Sequence, residues 1–403
     1  MTGLETTTSS LNQNQRPSRL LPAILSHLFL PEKDTRFTFI TLGAILLIGF
    51  CLRIIDLNQS IAYDEAYTFI HFASRPFKHI LADYSAPNNH IFHTILVGVA
   101  YRFFGGEAWA LRLPAFTAGL LMIPTMYIAA RRFFSQHQAL AAAGLVAVIP
   151  LFLNYSVNGR GYTMLVLFAL LLANFAGILV VQRSKPALVA FIVTGALGFY
   201  TIPIFLYPMA GISLWVVLTC LVTDEPRQEK LRRLGEFIGA CMLTGVLTLV
   251  LYSPVIFFGS GLSSIIGNEI VKALSWSTFL ENLDPRLLKA WNKWMIGIGP
   301  IVEYIFLGGF LISVLFYRKV SQQKLRLPLQ LFLALAVAGL LVLQRVSPLP
   351  RIWIYLEAFY LMFAAAGLVW LASAHNSAAH KMSGPLFIAA AVAILIILRS
   401  IWM

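Results

Sequence analysis

The sequence predicts an all-helical, polytopic membrane protein of about eleven transmembrane helices, and three observations support this fold class. Hydrophobic residues make up 59% of the 403 positions and charged residues 12%, a composition typical of membrane proteins and not of soluble domains. Eleven apolar runs approach the length of about 20 residues that a helix needs to cross a bilayer. The net charge is +13, yet the basic residues fall in short clusters between these runs. The positive-inside rule predicts such clusters, whereas nucleic acid binding requires a single basic patch.

The spans follow a polar segment, residues 1–35, that has no short apolar stretch ending in a cleavage site. We expect this segment to be a cytoplasmic N-terminal tail. The predicted spans are residues 37–55, 108–130, 138–155, 162–181, 187–202, 203–222, 235–258, 299–317, 328–343, 352–372 and 385–402. They divide the chain into a catalytic membrane module, residues 36–205, which includes the outer loop 56–107, and a C-terminal set of helices, residues 206–403.

Two further segments are predicted to lie on the outer membrane surface. Residues 91–104 are apolar but too short to span, and a crossing there would place the Arg131-Arg132 cluster on the outer side, against the positive-inside rule. The outer loop 259–298 interleaves tryptophans and lysines, which is typical of a helix at headgroup depth. The residues concerned are Trp276, Trp291, Trp294, Lys272, Lys289 and Lys293.

The outer loop 56–107 carries the densest group of ionisable side chains, beginning with the adjacent carboxylates Asp64 and Glu65. In a chain this apolar, such groups indicate a functional site. If residues 62–75 are helical, Asp64, Thr68 and His71 share one face, and a carboxylate could point into a cleft. Alternatively, Asp64 caps the helix and Glu65 is solvated, since acidic residues are common at helix starts.

His90 and His93 follow in the same loop with a spacing that puts both on one helix face. They could ligate a metal ion together with Asp64 or Glu65. The alternative is two interfacial histidines that bond to backbone or lipid headgroups, and no HExxH signature favours the metal. No cofactor is firmly implied, and a divalent metal stays an open alternative.

Four of the arginines on the predicted outer side lie at the start of a span or in a short outer connection: Arg112, Arg160, Arg345 and Arg351. The positive-inside rule disfavours arginine there, so each is expected to have an anionic partner. Arg351 is the first candidate for a phosphate, because Pro348 and Pro350 stiffen its turn and the planar guanidinium binds phosphate oxygens bidentately. The alternative is that these side chains only extend toward the headgroups.

In order and spacing these features resemble the C-type (GT-C) polytopic glycosyltransferases that use polyprenyl-phosphate sugars, in particular the protein O-mannosyltransferase and aminoarabinose-transferase-like group. The matching elements are Asp64-Glu65, Asn88-Asn89-His90, Arg112-Leu113, Arg160-Gly161-Tyr162 and Tyr200-Thr201. The resemblance covers residues 37–205. It departs at Ile91-Phe92, where the group often has prolines.

This resemblance implies that Asp64 is the catalytic carboxylate, supported by Glu65, and that Arg351, Arg160, Arg112 and Arg345 hold the donor phosphate. Asn89, His90, Tyr162 and Tyr200 would contact substrate. The implied activity transfers a sugar from a polyprenyl-phosphate donor to a hydroxyl of a lipid, glycan or protein acceptor on the extracytoplasmic side.

Two other functions are alternatives to this one. A lipid-linked-sugar flippase or other transporter should carry ionisable groups near the membrane midplane and interrupted helices arising from repeats, and the spans are nearly free of charge. A purely structural membrane protein would leave the outer arginines unexplained.

Overall fold

The computed structural model describes residues 20–29, 34–267, 272–321, 325–346 and 349–374, with side chains from residue 24 onward. Every regular element in these ranges is helical and none is a strand. The helices are α1 Leu20–Phe29, α2 Arg36–Ile55, α3 Tyr63–Thr68, α4 Phe77–Ala82, α5 Ile91–Phe104, α6 Ala108–Phe133, α7 Gln136–Val148, α8 Pro150–Ser156, α9 Tyr162–Val181, α10 Lys185–Thr201, α11 Leu206–Val222, α12 Arg227–Phe258, α13 Leu262–Ile266, α14 Trp276–Trp294, α15 Pro300–Leu315, α16 Tyr317–Val320, α17 Leu329–Gln344 and α18 Ile354–Ala374. A π-helical turn, Phe69–Ala73, extends α3, and 3-10 turns at Pro203–Phe205 and Pro350–Trp353 precede α11 and α18.

Six described helices are long and apolar enough to cross a membrane, so the protein is an integral, multi-pass membrane protein. They are α2, α6, α9, Pro203–Val222, α12 and Pro350–Ser373, and α7 with α8 form a seventh candidate bent by 59°. The predicted count of about eleven is not confirmed. Helices α10, α15 and α17 occupy predicted spans but have only 17, 16 and 16 residues, and the predicted span 385–402 lies outside the described residues.

The bend between α7 and α8 has a local cause in the sequence. Ile149 precedes Pro150 and takes the extended conformation (φ −59°, ψ 129°) that a residue before proline favours. The carbonyls of Val146 and Ala147 accept hydrogen bonds from the buried Arg53 guanidinium at 3.2 and 2.8 Å. Arg53 also donates from Nε to Ser156 Oγ at 3.0 Å. The first span thereby holds the bend and the end of α8, just before the loop that carries Arg160.

Helices α9 and α18 form the centre of the bundle, and α2 and α12 lie at its edge. Of the span window, 89% is buried in both α9 and α18, compared with 22% in α2 and 17% in α12. Helices α15 and α18 approach closely at Gly309 and Gly367, where a Cβ on Gly367 would lie 1.9 Å from the Gly309 carbonyl oxygen. Small residues at such contacts are typical of membrane helix packing.

The two segments predicted for the membrane surface are both helices. Ser275 is the N-cap of helix α14, and its hydroxyl accepts from the Thr278 amide at 3.2 Å. The helix contains the three tryptophans named above for this loop. Helix α5 has 14 residues and packs against α6. Their position at the membrane surface stays a prediction.

Candidate active site

Helix α3 presents its two carboxylates in different directions. The Glu65 side chain turns back, and its Oε2 accepts from the Ala62 amide at 2.8 Å, the carboxylate half of a capping box. Asp64 lies in the first turn with 37% of its side chain exposed. The alternative that Asp64 caps α3 is therefore wrong, because Glu65 fills that role, and Glu65 is buried instead of solvated.

Both carboxylate oxygens of Glu65 accept two hydrogen bonds. Its Oε1 accepts from Arg112 Nε at 2.8 Å and from the Gly159 amide at 2.6 Å, and its Oε2 accepts from Arg112 Nη2 at 2.8 Å. Burial would raise the pKa of Glu65, but the hydrogen bonds from Arg112, Ala62 and Gly159 outweigh it, so the pKa lies below its usual range. Glu65 is thus an ionised group with saturated contacts that joins α3, α6 and the loop before Arg160.

Arg112 directs its remaining N–H groups to the chain that precedes α3. Nη1 donates to the carbonyls of Leu57 and Gln59 at 2.9 and 2.7 Å, and Nη2 to the carbonyl of Ser60 at 2.9 Å. Together with the two bonds to Glu65, these contacts occupy all five guanidinium N–H groups. No N–H group of Arg112 is left to bind a phosphate, so the predicted role of Arg112 as a phosphate ligand does not fit this arrangement.

Asp64 meets two arginines that come from distant parts of the chain. Arg351 Nη1 donates to Asp64 Oδ2 at 2.9 Å, and Arg160 Nη1 lies 3.5 Å from the same oxygen and 3.2 Å from the Asp64 carbonyl. The Arg160 side chain is only 2% exposed, whereas that of Arg351 is 31% exposed. Asp64 Oδ1 takes part in none of these contacts. We call Asp64, Arg160 and Arg351 the open cluster.

His90 and Tyr162 line the buried side of the open cluster. His90 Nδ1 accepts from the Gly161 amide at 2.9 Å, and its Nε2 lies 3.3 Å from Arg160 Nη2. Burial, followed by the charges of Arg160, His93 and Arg351, holds the pKa of His90 well below its usual range. The Tyr162 ring packs edge-on against His90, with the Arg160 and Arg351 guanidinium carbons 5.8 and 5.9 Å from its centroid.

Comparison with known proteins begins with the sequence. Residues 90–258 match the model of a family described as dolichyl-phosphate-mannose-protein mannosyltransferase. No curated protein matches the chain.

Several solved structures are similar to this chain, among them three crystal structures. ArnT from Cupriavidus metallidurans in the apo state has 18% identity and a TM-score of 0.57 over 82% of this chain and 59% of its own. The same protein bound to undecaprenyl phosphate has 18% identity and a TM-score of 0.56 over 90% and 64%. The Archaeoglobus fulgidus oligosaccharyltransferase in complex with Zn and sulfate has 17% identity and a TM-score of 0.51 over 89% and 52%.

The protein has the GT-C glycosyltransferase fold. The resemblance predicted from the sequence is therefore confirmed at the level of fold, and the family match reaches from His90 through α12. The chain spans less than two thirds of the length of each of these three structures.

On this GT-C scaffold the other predicted site residues lie apart from Asp64 or have structural contacts. Asn89 donates from Nδ2 to the carbonyls of Ile80 and Asp83 at 3.0 and 2.7 Å, so it holds the end of α4. Tyr200 packs edge-on against Tyr252, 5.5 Å between centroids, in a small apolar cluster at the start of α5.

Arg345 also lies outside the open cluster. It ends α17 with a left-handed backbone (φ 49°), and its guanidinium carbon lies 5.6 Å from the centroid of the Trp276 ring. Its carbonyl accepts from the Leu274 amide at 2.9 Å. These contacts tie α17 to the start of α14. Pro348, which was expected to stiffen the turn after Arg345, lies outside the described residues.

The metal site that the sequence leaves open as an alternative is not formed by the described residues. Within the described ranges no group of three or more His, Cys, Asp or Glu side chains is placed to hold a metal ion. Glu65 is turned to Arg112 and His90 to Gly161, away from a shared centre with Asp64. His93 is fully buried and has no hydrogen-bond partner among the described residues. Burial followed by the charge of Arg160 lowers the pKa of His93 to about 3.

Two cavities adjoin the helices that carry the site. An apolar cavity of about 450 Å³ lies between α5, α6 and α9, the helices that begin just after His90, Glu107 and Gly161. A polar cavity of about 400 Å³ lies over the π-helical turn next to α3, lined by residues that include Tyr67, His71 and His79. None of the three residues of the open cluster lines either cavity.

Sequence reasoning missed two features of the site. The sequence predicts no role for Arg53, although three of its hydrogen bonds, to Val146, Ala147 and Ser156, hold the bend that leads to Arg160. The sequence predicts no separate role for Gly161, which is named only within Arg160-Gly161-Tyr162. A Cβ there would lie 2.8 Å from Thr201 and 3.0 Å from His90 Nδ1, so the close approach of His90 requires glycine. An arginine inside an apolar span was the signal that pointed to Arg53.

Proposed function

We propose that the protein is a membrane glycosyltransferase that moves a sugar from a polyprenyl-phosphate donor to an acceptor hydroxyl on the extracytoplasmic side. The observation that carries the proposal is the open cluster, in which a partly exposed carboxylate faces two arginines on a GT-C scaffold. The family description and the undecaprenyl phosphate bound by the ArnT relative support a lipid-phosphate donor.

In the proposed reaction Asp64 is the general base. It takes the proton of the acceptor hydroxyl, whose oxygen forms a bond to the anomeric carbon while the bond from that carbon to the phosphate oxygen breaks. The electron pair of the broken bond leaves with the polyprenyl phosphate. Oδ1 of Asp64, which takes no part in the ion pair with Arg351, is the oxygen we assign to the proton.

Arg351 and Arg160 would stabilise the charge that develops on the leaving phosphate. Arg351 is the more exposed of the two, so its unbonded N–H groups can reach a substrate, while the buried Arg160 supplies a fixed positive charge behind it. The apolar cavity between α5, α6 and α9 is the proposed place for the prenyl tail, because its lining is apolar except for the Thr117 hydroxyl.

Two observations favour the alternative that the protein is a transporter. Arg53 is an ionisable group inside a span, and α7 with α8 is an interrupted helix, as transporters often show. Both have a local explanation, since Arg53 bonds the carbonyls that the interruption leaves free. We therefore favour the transferase.

The test is consumption of donor by purified protein given a panel of radiolabelled polyprenyl-phosphate sugars. We expect one donor to be consumed and polyprenyl phosphate to be released with it. Release must be lost in Asp64→Asn and kept in Asp284→Asn, an exposed aspartate of α14. Movement of intact donor between leaflets without release would favour the transporter.

A further inference from the structure

The polar cavity over the π-helical turn is not used by the proposed sugar transfer. It lies between α3, that turn, α4 and the chain just after α4, and its volume of about 400 Å³ is within the range of small-molecule sites. Its titratable and charged lining residues are Tyr67, His71, Arg75, Lys78, His79 and Asp83. A ligand in this cavity would occupy a site separate from the open cluster.

Two cations of this cavity have no anionic partner among the described residues. Arg75 and Lys78 are exposed, and neither takes part in an ion pair found there. Arg75 Nε donates to the carbonyl of Ile70 at 3.2 Å, while its two Nη groups and the Lys78 ammonium form no hydrogen bond within the described ranges. Both cations lie on the predicted outer side, where the positive-inside rule disfavours them unless an anion is present.

The acid that lines the cavity, Asp83, already has partners of its own. Its Oδ1 accepts from the Ser85 amide at 2.8 Å and from the Ser260 hydroxyl at 3.0 Å, and its Oδ2 lies 3.2 Å from His79 Nε2. These contacts hold the carboxylate at the end of α4. Asp83 therefore does not neutralise the two cations.

The turn that carries Arg75 is held by an arginine of α5. Arg102 Nη2 donates to the Arg75 carbonyl at 2.6 Å, and its Nη1 donates to the Gly98 carbonyl at 2.6 Å. The Arg102 guanidinium carbon lies 4.2 Å from the centroid of the Phe77 ring. Because the backbone on both sides of the cavity is fixed, less conformational entropy is lost when its side chains bind a ligand.

We propose that this cavity binds a phosphate group, with two oxygens on the Arg75 guanidinium and a third on the Lys78 ammonium. The planar fork of arginine matches two phosphate oxygens, and lysine adds a point charge beside it. The His71 ring stacks on Tyr67 with 4.2 Å between centroids, has no hydrogen-bond partner in the described part of the chain, and supplies one more donor. A carboxylate, with two oxygens, would use only part of this set.

Two sources offer such a phosphate: the headgroup of an anionic lipid and a soluble phosphate. The segment that lines the cavity also exposes Ile70 and Phe77, which are 54% and 38% exposed, as expected of a segment at the lipid interface. The binding chemistry is the same for both sources, so the experiment has to separate them. This proposal does not depend on the proposed sugar transfer, and its test measures binding and not activity.

The experiment titrates the purified full chain, in phosphate-free detergent solution, with inorganic phosphate, acetate and short-chain phosphatidic acid by isothermal titration calorimetry. We expect phosphate to bind about tenfold more tightly than acetate, the difference that one further charge-assisted hydrogen bond produces. Phosphatidic acid binding more tightly still would assign the site to a lipid headgroup, and phosphatidic acid binding no more tightly than inorganic phosphate would assign it to a soluble phosphate. Equal binding of phosphate and acetate, or no binding of either phosphate ligand, would overturn the proposal.

Variants at the two cations test the assigned contacts. Arg75→Gln combined with Lys78→Gln should weaken phosphate binding about tenfold or more, and the exposure of both side chains favours a folded variant. The matched control, Lys272→Gln combined with Lys289→Gln, removes two exposed cations of the outer loop 259–298 and should leave binding unchanged. Arg75→Lys keeps the charge but loses the fork, so it should weaken binding severalfold. Wild-type affinity in the double variant at Arg75 and Lys78 would contradict the proposal.

A second background separates this cavity from the open cluster, which also holds two arginines. In Arg351→Ala, phosphate binding should persist, and it should be lost when Arg75→Gln and Lys78→Gln are added. Loss of binding in Arg351→Ala alone would place the phosphate at the open cluster and overturn the proposal.

Discussion

Two arginine–carboxylate pairs begin at neighbouring residues of α3, and they differ in how completely they are closed. In the pair of Arg112 and Glu65, the side chains are 1% and 6% exposed and every guanidinium N–H is bonded. In the pair of Arg351 and Asp64 they are 31% and 37% exposed and share one hydrogen bond. A closed pair can only hold the fold, whereas an open pair can exchange its contact for a substrate. Saturation of contacts, more than residue type, therefore separates the structural acid from the candidate catalytic one.

The largest expected effect is the loss of sugar transfer in the Asp64→Asn variant. Removal of the general base should lower the transfer rate by about 10²- to 10⁴-fold, while donor binding and the melting temperature stay near wild type because the shape is kept and the residue is partly exposed. Single-turnover kinetics with bound donor measure the rate apart from binding. A rate within a few fold of wild type would end the general-base assignment.

The closed pair should show the opposite pattern. Glu65→Gln leaves the Arg112 charge buried and unpaired, and breaking a buried pair in this way costs about 3–5 kcal/mol of stability. Unfolding by denaturant in detergent, compared with Glu281→Gln, measures the loss. Transfer per folded molecule should fall much less than in Asp64→Asn. A stable Glu65→Gln protein with no transfer would mean that Glu65 acts in the reaction.

The third prediction concerns the guanidinium of Arg351. Arg351→Lys keeps the charge but loses the planar fork, so the KM for donor should rise about 10-fold, and Arg351→Ala should raise it further. Arg318→Lys, an exposed arginine of α16, is the matched control. An unchanged KM in both Arg351 variants would move the phosphate site elsewhere, with Arg160 the next residue to test.

Two buried histidines near the open cluster predict a pH dependence of stability. The pKa of His93 is lowered to about 3 and that of His90 is well below its usual range, so below about 6.5 the unfolded chain binds more protons than the folded one. Above pH 6.5 the two histidines make their full contribution to the free energy of unfolding. This contribution should fall as the pH drops, by up to about 1.4 kcal/mol per pH unit for each histidine.

Melting curves from pH 7.5 to 5 measure this slope. His93→Leu should reduce it by about half, since one of the two titrating groups is removed, while exposed His71→Gln should leave it unchanged. Below about pH 4.5 the lowered pKa of Glu65 predicts a further loss, because that carboxylate contributes stability only while ionised. A flat profile between pH 7.5 and 5 would contradict the neutral, buried state of both rings.

The smallest effect on activity and stability is expected from single cysteines that report which side of the membrane a residue faces. In a cysteine-free background, cysteines at Asn58 and Glu281 should react with an impermeant thiol reagent from the extracytoplasmic side, and one at Ser135 should not. All three positions are exposed. Labelling of Ser135 from that side would mean that α5 crosses the bilayer and that the layout after it is inverted.

The sequence predicted the fold class, the helix at α14 and the residues of the open cluster, because apolar runs and outer arginines are local signals. It did not predict that Glu65 and Arg112 close on each other, since that pairing depends on how α3 packs on α6 across 47 positions. The predicted count of about eleven spans is not confirmed, because α10, α15 and α17 are apolar yet short and residues 385–402 lie outside the described residues. The hydropathy of a run does not show where its helix ends.

The most direct test of the central claim compares Asp64→Asn and Glu65→Gln in one experiment that measures both the melting temperature and single-turnover sugar transfer per folded molecule. The account predicts that Asp64→Asn melts like wild type and does not transfer, and that Glu65→Gln melts lower but transfers when folded. Loss of transfer in Glu65→Gln with full transfer in Asp64→Asn would contradict it, because the catalytic acid would then be the closed one.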